Sequence, residues 1–227
     1  MITSHCLHIH PPRTGGSTIR AALWRMSQIG LCRIVGDFGE RSARVADYLT
    51  VYKFGFVRNP WAWYLSHYCW HRFRRFDEGA TEPSWQFSRS TDDGIIDAKN
   101  EADCITFRDW LLRGFGRDAA RGEEPDFAPL PWRQQPYFSV TRIVRDMLYS
   151  ADGVLLVNFV GRLERIDDDF QHVLRCSGLP MYTEEIPVVK STTHKPCCEE
   201  YDDEMRELVA DRDRWLIEEF GYRFEDA

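Results

Sequence analysis

His8-Ile9-His10-Pro11-Pro12-Arg13-Thr14-Gly15-Gly16-Ser17-Thr18, running straight into Ile19-Arg20-Ala21-Ala22-Leu23-Trp24, is the stretch that decides the fold. Cys6 to His10 predicts a short apolar strand, and the glycine pair a turn. Ser17 to Ile29 predicts a helix with Ile19, Ala22, Leu23 and Met26 on one stripe. Gly15 and Gly16 allow successive amide N–H groups to converge on one point at the positive end of a helix dipole, which makes an anion cradle. Arg13 adds a permanent cation there, and Thr14, Ser17 and Thr18 add hydroxyl donors. A plain strand-to-helix turn with a hydroxyl cap has the same pattern, so this segment alone leaves both readings open.

Outward from this segment the chain alternates strand and helix. Leu31 to Val35 predicts a second strand, Ser42 to Leu49 a short helix and Tyr52 to Val57 a third strand. Asn59-Pro60 opens a long aromatic helix reaching about Phe76, because proline suits the first helical position. This βαβαβα beginning predicts an α/β fold with a parallel sheet flanked by helices, in which ligands sit at the strand C-termini. Residues 77–100 and 116–136 read as long loops on either side of a helix from Thr106 to Phe115. Val154 to Val160 then predicts a buried strand, Asp167 to Cys176 a helix, and Glu199 to Phe220 a last helix stopped by Gly221.

The 227 residues, 43% of them hydrophobic, are enough to bury a full core as one domain spanning 1–227 with long loop insertions. A net charge of −7 argues against nucleic acid or an anionic membrane as the main partner, so any anion site must be local. The seven cysteines are scattered, without C-x-x-C spacing or a zinc-type cluster, which fits a reducing cytoplasm. No run approaches the roughly 18 apolar residues of a membrane helix, and the N-terminus lacks a signal-peptide pattern. The expectation is a cytoplasmic protein.

A second informative segment is Tyr52-Lys53-Phe54-Gly55-Phe56-Val57-Arg58-Asn59-Pro60, continuing through Trp61 to Ser66, His67 and Tyr68. Arg58 leaves a core strand just before a helix, at the same sheet edge as the glycine turn. Two anion sites on one rim suit a ligand charged at both ends. Taken singly, Arg58 also reads as a surface ion-pair partner and Ser66 as an ordinary mid-helix serine.

Together these residues resemble the PAPS-dependent sulfotransferases, in particular the bacterial carbohydrate-type branch with its F-I-H-I-P-K-T-G-G-[TS] pattern. His10, Pro12, Thr14, Gly15, Gly16 and Ser17 match that pattern, and Phe56 to Trp61 with Ser66 and Tyr68 match F-V-R-N-P-W-x-x-x-x-S-x-Y. The resemblance extends to Asn158-Phe159-Val160-Gly161-Arg162-Leu163-Glu164, to Lys190-Ser191 and to Tyr201 to Val209. It implies a P-loop-like fold. It also implies that Arg13, Thr14, Gly15, Gly16, Ser17 and Thr18 grip the 5′-phosphosulfate of 3′-phosphoadenosine 5′-phosphosulfate (PAPS), and that Arg58 and Ser66 take the 3′-phosphate. Lys190 and Ser191 would lie on a loop closing over the nucleotide. The released product would be the desulfated nucleotide, PAP.

Sulfuryl transfer asks a protein mainly to align nucleophile and leaving group and to neutralise developing charge, and it requires no metal. Arg13 stands where the family carries lysine; it keeps the charge and can bind two oxygens, but it cannot release a proton. The attacking hydroxyl needs a base, and the candidates are Glu40, His10, His67 and His71. Glu40 lines up with the histidine of the family's H-A-S-A-R-E motif, and a positioned base contributes about 10²- to 10⁴-fold. Glu40 also reads as an acidic residue favouring a helix N-terminus, and His10 as a hydrogen-bonding prop of the turn. The aromatic and basic residues from His67 to Arg75 suit an acceptor, or simply form one core face and one solvated face. Gln134 and Gln135 resemble a glutamine of the relatives. The acceptor is expected to be a carbohydrate or other small molecule, met by Trp85, Phe87, Trp110, Phe127 and Trp132.

Two other readings stay open. A nucleotide kinase with a P-loop would need G-x-x-x-x-G-K-[ST], and the chain contains no Gly-Lys pair. A non-catalytic PAP-binding relative would keep the cradle and lack turnover.

Overall fold

The computed structural model describes residues 1–36, 51–74, 89–91, 94–96, 106–116, 139–187 and 196–227. In chain order the elements are β1 (Ile2–Thr3), β2 (Cys6–Ile9), α1 (Gly16–Gln28), β3 (Ile34–Gly36), β4 (Tyr52–Val57) and α2 (Pro60–Arg74). They continue with β5 (Arg89–Thr91), β6 (Gly94–Ile96), α3 (Phe107–Gly116), α4 (Val140–Leu148), β7 (Phe159–Arg162) and α5 (Ile166–Ser177). The chain closes with α6 (Cys197–Glu200), α7 (Asp203–Arg212) and α8 (Arg214–Phe220). These residues form two compact units: Met1–Asn59 with Thr141–Ser191, and Pro60–Val140 with Thr192–Ala227.

The first unit holds a five-stranded sheet in the order β3-β1-β2-β4-β7. β2, β4 and β7 are parallel, with Ile9 beside Gly55 and Val57 beside Arg162. β1 is antiparallel to both β2 and β3, so the sheet is mixed, not wholly parallel as expected. The reason is local: the Thr3 hydroxyl accepts the Cys6 amide at 2.9 Å and the His5 amide at 3.1 Å, closing a tight turn that folds the first residues back on β2. β1 thus lies between β2 and the strand expected at Leu31 to Val35, which forms at Ile34–Gly36.

Side chains alternate across each strand. Phe54 and Phe56 therefore share one face, where they pack with Ile19, Leu23 and Met26 of α1 and Phe170, Val173 and Leu174 of α5. Gly55 points the other way, where a Cβ would lie 2.7 Å from Leu148. The stripe expected on α1 is the one that is buried, and α5 ends at Gly178 in a left-handed cap.

Three expectations change. The strand forms at Phe159–Arg162, not from Val154: Val154 is 63% exposed, and Leu156 N–H donates to the Leu148 carbonyl instead of to the sheet. α4 forms where the sequence pattern predicts no element, and β5 and β6 pair antiparallel inside the expected 77–100 loop. The last helix is broken at Tyr201–Asp202 and again at Asp213. The helix expected at Ser42 to Leu49 and the 116–136 loop after Gly116 lie outside the described residues.

In the second unit, Trp63, Tyr64, Leu65 and Tyr68 of α2 are buried with Phe107 and Trp110 of α3. The buried Tyr64 hydroxyl donates to Asp213 Oδ2 at 2.7 Å, and this inward turn of Asp213 accompanies the break between α7 and α8. Burial, and then the Asp213 charge, hold the Tyr64 phenol protonated, well above its ordinary range. Asp213→Ala would leave that hydroxyl buried without its acceptor, and urea unfolding is expected to show a loss of about 1–3 kcal/mol. Adding Tyr64→Phe should recover part of it, because both polar partners are then gone.

Candidate anion-binding site

The site grows from the order β2, turn, α1. Two residues of the turn, on either side of Thr14, adopt left-handed backbone: Gly15 at φ +83° and, unusually for a residue with a side chain, Arg13 at φ +64°. Such a conformation costs a non-glycine residue about 1–2 kcal/mol. Strain of this kind gathers at functional sites, where it fixes the direction of a group. Thr14, wholly buried, donates its hydroxyl to the Pro11 carbonyl at 2.6 Å and so pins the turn shut. That hydroxyl is committed internally; what Thr14 can offer an anion is its amide.

Gly15 caps α1, with no side-chain cap, and the Ile19 amide donates to its carbonyl at 3.0 Å. The amides of a helix's first turn have no helical acceptor and carry its positive dipole end. Gly16 is required sterically: a Cβ there would fall 1.9 Å from His10 Cδ2 and Nε2. His10 is thus brought against the N-terminus of α1, and Ser17 and Thr18 follow half-buried.

The second cationic segment meets the first. β4 is the parallel neighbour of β2, so both strands end at one sheet edge, and Arg58 Nη1 makes a long 3.5 Å hydrogen bond to the Arg13 carbonyl. The Leu163-Glu164 end of the Asn158 to Glu164 stretch braces this edge: Glu164 Oε1 accepts the Asn59 amide at 2.7 Å, and Leu163 lies against Gly15, while at the opposite end of β4 Asn158 Oδ1 accepts the Lys53 amide at 2.8 Å.

Behind the turn, His8 stacks on Phe54 at 4.9 Å and on His10 at 5.6 Å between ring centroids. Its Nε2 is buried with no hydrogen-bond partner among the described residues. Burial, and then the neighbouring His10 charge, lower its pKa well below the usual histidine range. His8 therefore stays neutral while an unfolded chain takes up a proton below about pH 6.5, so stability is full above that pH and falls beneath it. Between pH 7.5 and 5.5 the protein is expected to lose about 1.4 kcal/mol more than a His8→Leu variant, measured by urea unfolding at both pH values.

Of the sequence candidates, His10, Arg13, Thr14, Gly15, Gly16, Ser17, Thr18 and Arg58 are brought to one edge of the first unit. Ser66 lies in the second unit, buried in α2. His67 is also buried there, stacked on Trp63 at 4.7 Å. Trp110, expected to meet an acceptor, is a core residue against Tyr64 and Phe107, so the aromatic side of α2 is a core face. Glu40, Lys190, Ser191, Trp85, Phe87, Phe127, Trp132, Gln134 and Gln135 lie outside the described residues, as does the side chain of His71.

Sequence reading missed the strained Arg13 backbone and the place of His8. The second was open to detection, because the alternation Cys6, His8, His10 puts all three on one strand face. No helix among the described residues is long and apolar enough to cross a membrane. No family model matches the chain, and no curated protein matches it.

Proposed function

We propose that the chain is a sulfotransferase with a P-loop-like cradle, transferring a sulfuryl group from PAPS to a hydroxyl of a carbohydrate or other small-molecule acceptor. The observation that carries this reading is the meeting of the two cationic segments at one sheet edge, with Arg58 on the carbonyl of a strained Arg13. PAPS, when bound, supplies a sulfuryl group on a phosphate leaving group. Arg13 and the amides from Thr14 to Thr18 bind and orient its 5′ end and balance the charge that gathers there, each well-aimed donor being worth about 3 kcal/mol. Arg58, with Lys190 and Ser191, is assigned to the 3′-phosphate. Glu40 or His10 takes the proton of the acceptor hydroxyl.

Calorimetric titration with PAP in the presence of a chelator tests the donor, and labelled PAPS with a panel of acceptors tests the transfer. Binding of PAP followed by metal-independent labelling is the expected result. No binding of PAP would overturn the reading. Binding without consumption of PAPS on any acceptor would point to a nucleotide-binding relative, and magnesium-dependent phosphate transfer to a kinase.

A further inference from the structure

At the end of β4 remote from Arg58, three chemically active side chains converge. Cys176 and His172 lie one turn apart on α5, with Cys176 Sγ 3.5 Å from His172 Nε2, and both are exposed. The His172 ring packs on Phe159 of β7 at 4.6 Å between centroids, which holds the imidazole beside the sulfur. Tyr52, the first residue of β4, faces the same thiol; burial and Cys176 push its phenol up to about 12, so it remains a proton donor. None of the three belongs to the cradle.

The other cysteines among the described residues sharpen the contrast. Cys6, Cys32, Cys69 and Cys197 are buried, and burial pushes the Cys6 thiol up to about 11. Cys198 is exposed, as Cys176 is, and serves as an internal reference within the same molecule.

We infer that Cys176 is a redox-sensitive modification site, a thiol that hydroperoxides oxidise to sulfenic acid with His172 as base and Tyr52 as hydrogen-bond donor to the sulfur. In the step, His172 Nε2 accepts the thiol proton and the sulfur attacks the distal peroxide oxygen. An S–O bond forms, the O–O bond breaks, and the leaving hydroxide or alkoxide takes the proton from His172 to give water or an alcohol. The sulfur is oxidised by two electrons and the peroxide is reduced.

The size of the effect follows from the base: His172 takes the proton as the sulfur attacks, and a positioned base contributes about 10²-fold or more in a closed site and less at an exposed one. The expected advantage of Cys176 over Cys198 is about tenfold. The test treats the whole native chain with hydrogen peroxide at pH 7, traps sulfenic acid with dimedone, and follows each cysteine by peptide mass spectrometry, with iodoacetamide as a second probe.

Cys176 should label about tenfold faster than Cys198 with both reagents, and His172→Gln should bring it to within about twofold of Cys198. Tyr52→Phe should slow it by a smaller factor. Labelling of Cys176 no faster than of Cys198 in the unmodified sequence, or a rate indifferent to His172→Gln, overturns the inference.

Discussion

Replacing Arg13 by glycine is expected to make the protein slightly more stable and, at the same time, to remove the PAP binding proposed above. The stability gain comes from the backbone: at φ +64° the Cβ of Arg13 is a liability that glycine lacks. Glycine brings back some unfolded-state entropy, so the net gain is at most about 1 kcal/mol. That corresponds to a rise of about 2–4 °C in melting temperature for a chain of this size. The affinity loss comes from the side chain. Hydrogen bonds from a guanidinium to phosphate or sulfate oxygens contribute about 1.5–3 kcal/mol each, and the arginine fork can make two. PAP affinity and turnover should fall by about 10²- to 10³-fold. Arg13→Lys should recover the charge without the fork, and with it part of the loss. The opposite result, a lower melting temperature with PAP binding intact, would make Arg13 a structural residue and remove the central cation of the proposed site.

How much of this was legible in the sequence depends on the range over which each signal acts. β4 forms over the residues expected, Tyr52 to Val57, and α1 buries the four apolar residues of its stripe, because strand runs and helical periodicity are written locally. The meeting of Arg58 with the glycine turn follows from the parallel pairing of β2 and β4, which the alternation of strands and helices already implied. β1 was not legible: two residues carry no period, and the strand exists because Thr3 closes a turn onto Cys6. The break at Asp213 was not legible either, since its local sequence is helical and the side chain's acceptor role toward Tyr64 is decided 149 residues away. Val154 to Leu156 misled for the reverse reason. Three apolar residues in a row read as buried, yet their backbone is engaged by Leu148 and Ser150 and their side chains stay exposed. At the site, hydroxyl chemistry was read from residue type alone, and Thr14 shows the limit of that: burial turned its hydroxyl onto Pro11.

Gly16→Ala is expected to disable the site while leaving the chain folded, and a second substitution should separate the two effects. Alanine is by propensity the better helix residue, so on local grounds the change is favourable. The added Cβ, however, would fall within 1.9 Å of the His10 ring, a separation that real structures do not tolerate. Either His10 swings away or the first turn of α1 moves back, and each displaces part of the cradle. Overpacking of this kind costs about 1–3 kcal/mol in stability. A displacement near 1 Å at a reacting centre costs on the order of 10²-fold in rate, so the proposed sulfuryl transfer should fall by at least that much. In a His10→Ala background the obstructing ring is absent, and the stability cost of Gly16→Ala should drop below about 1 kcal/mol, giving a coupling energy between the two positions of about 1–2 kcal/mol. PAP affinity should follow the same pattern if the α1 amides bind the nucleotide: weakened in Gly16→Ala, and restored toward the His10→Ala value in the double variant. Strict additivity in unfolding and in PAP titration would mean that His10 does not rest on Gly16 in solution, and His10 would then lose its place beside the anion.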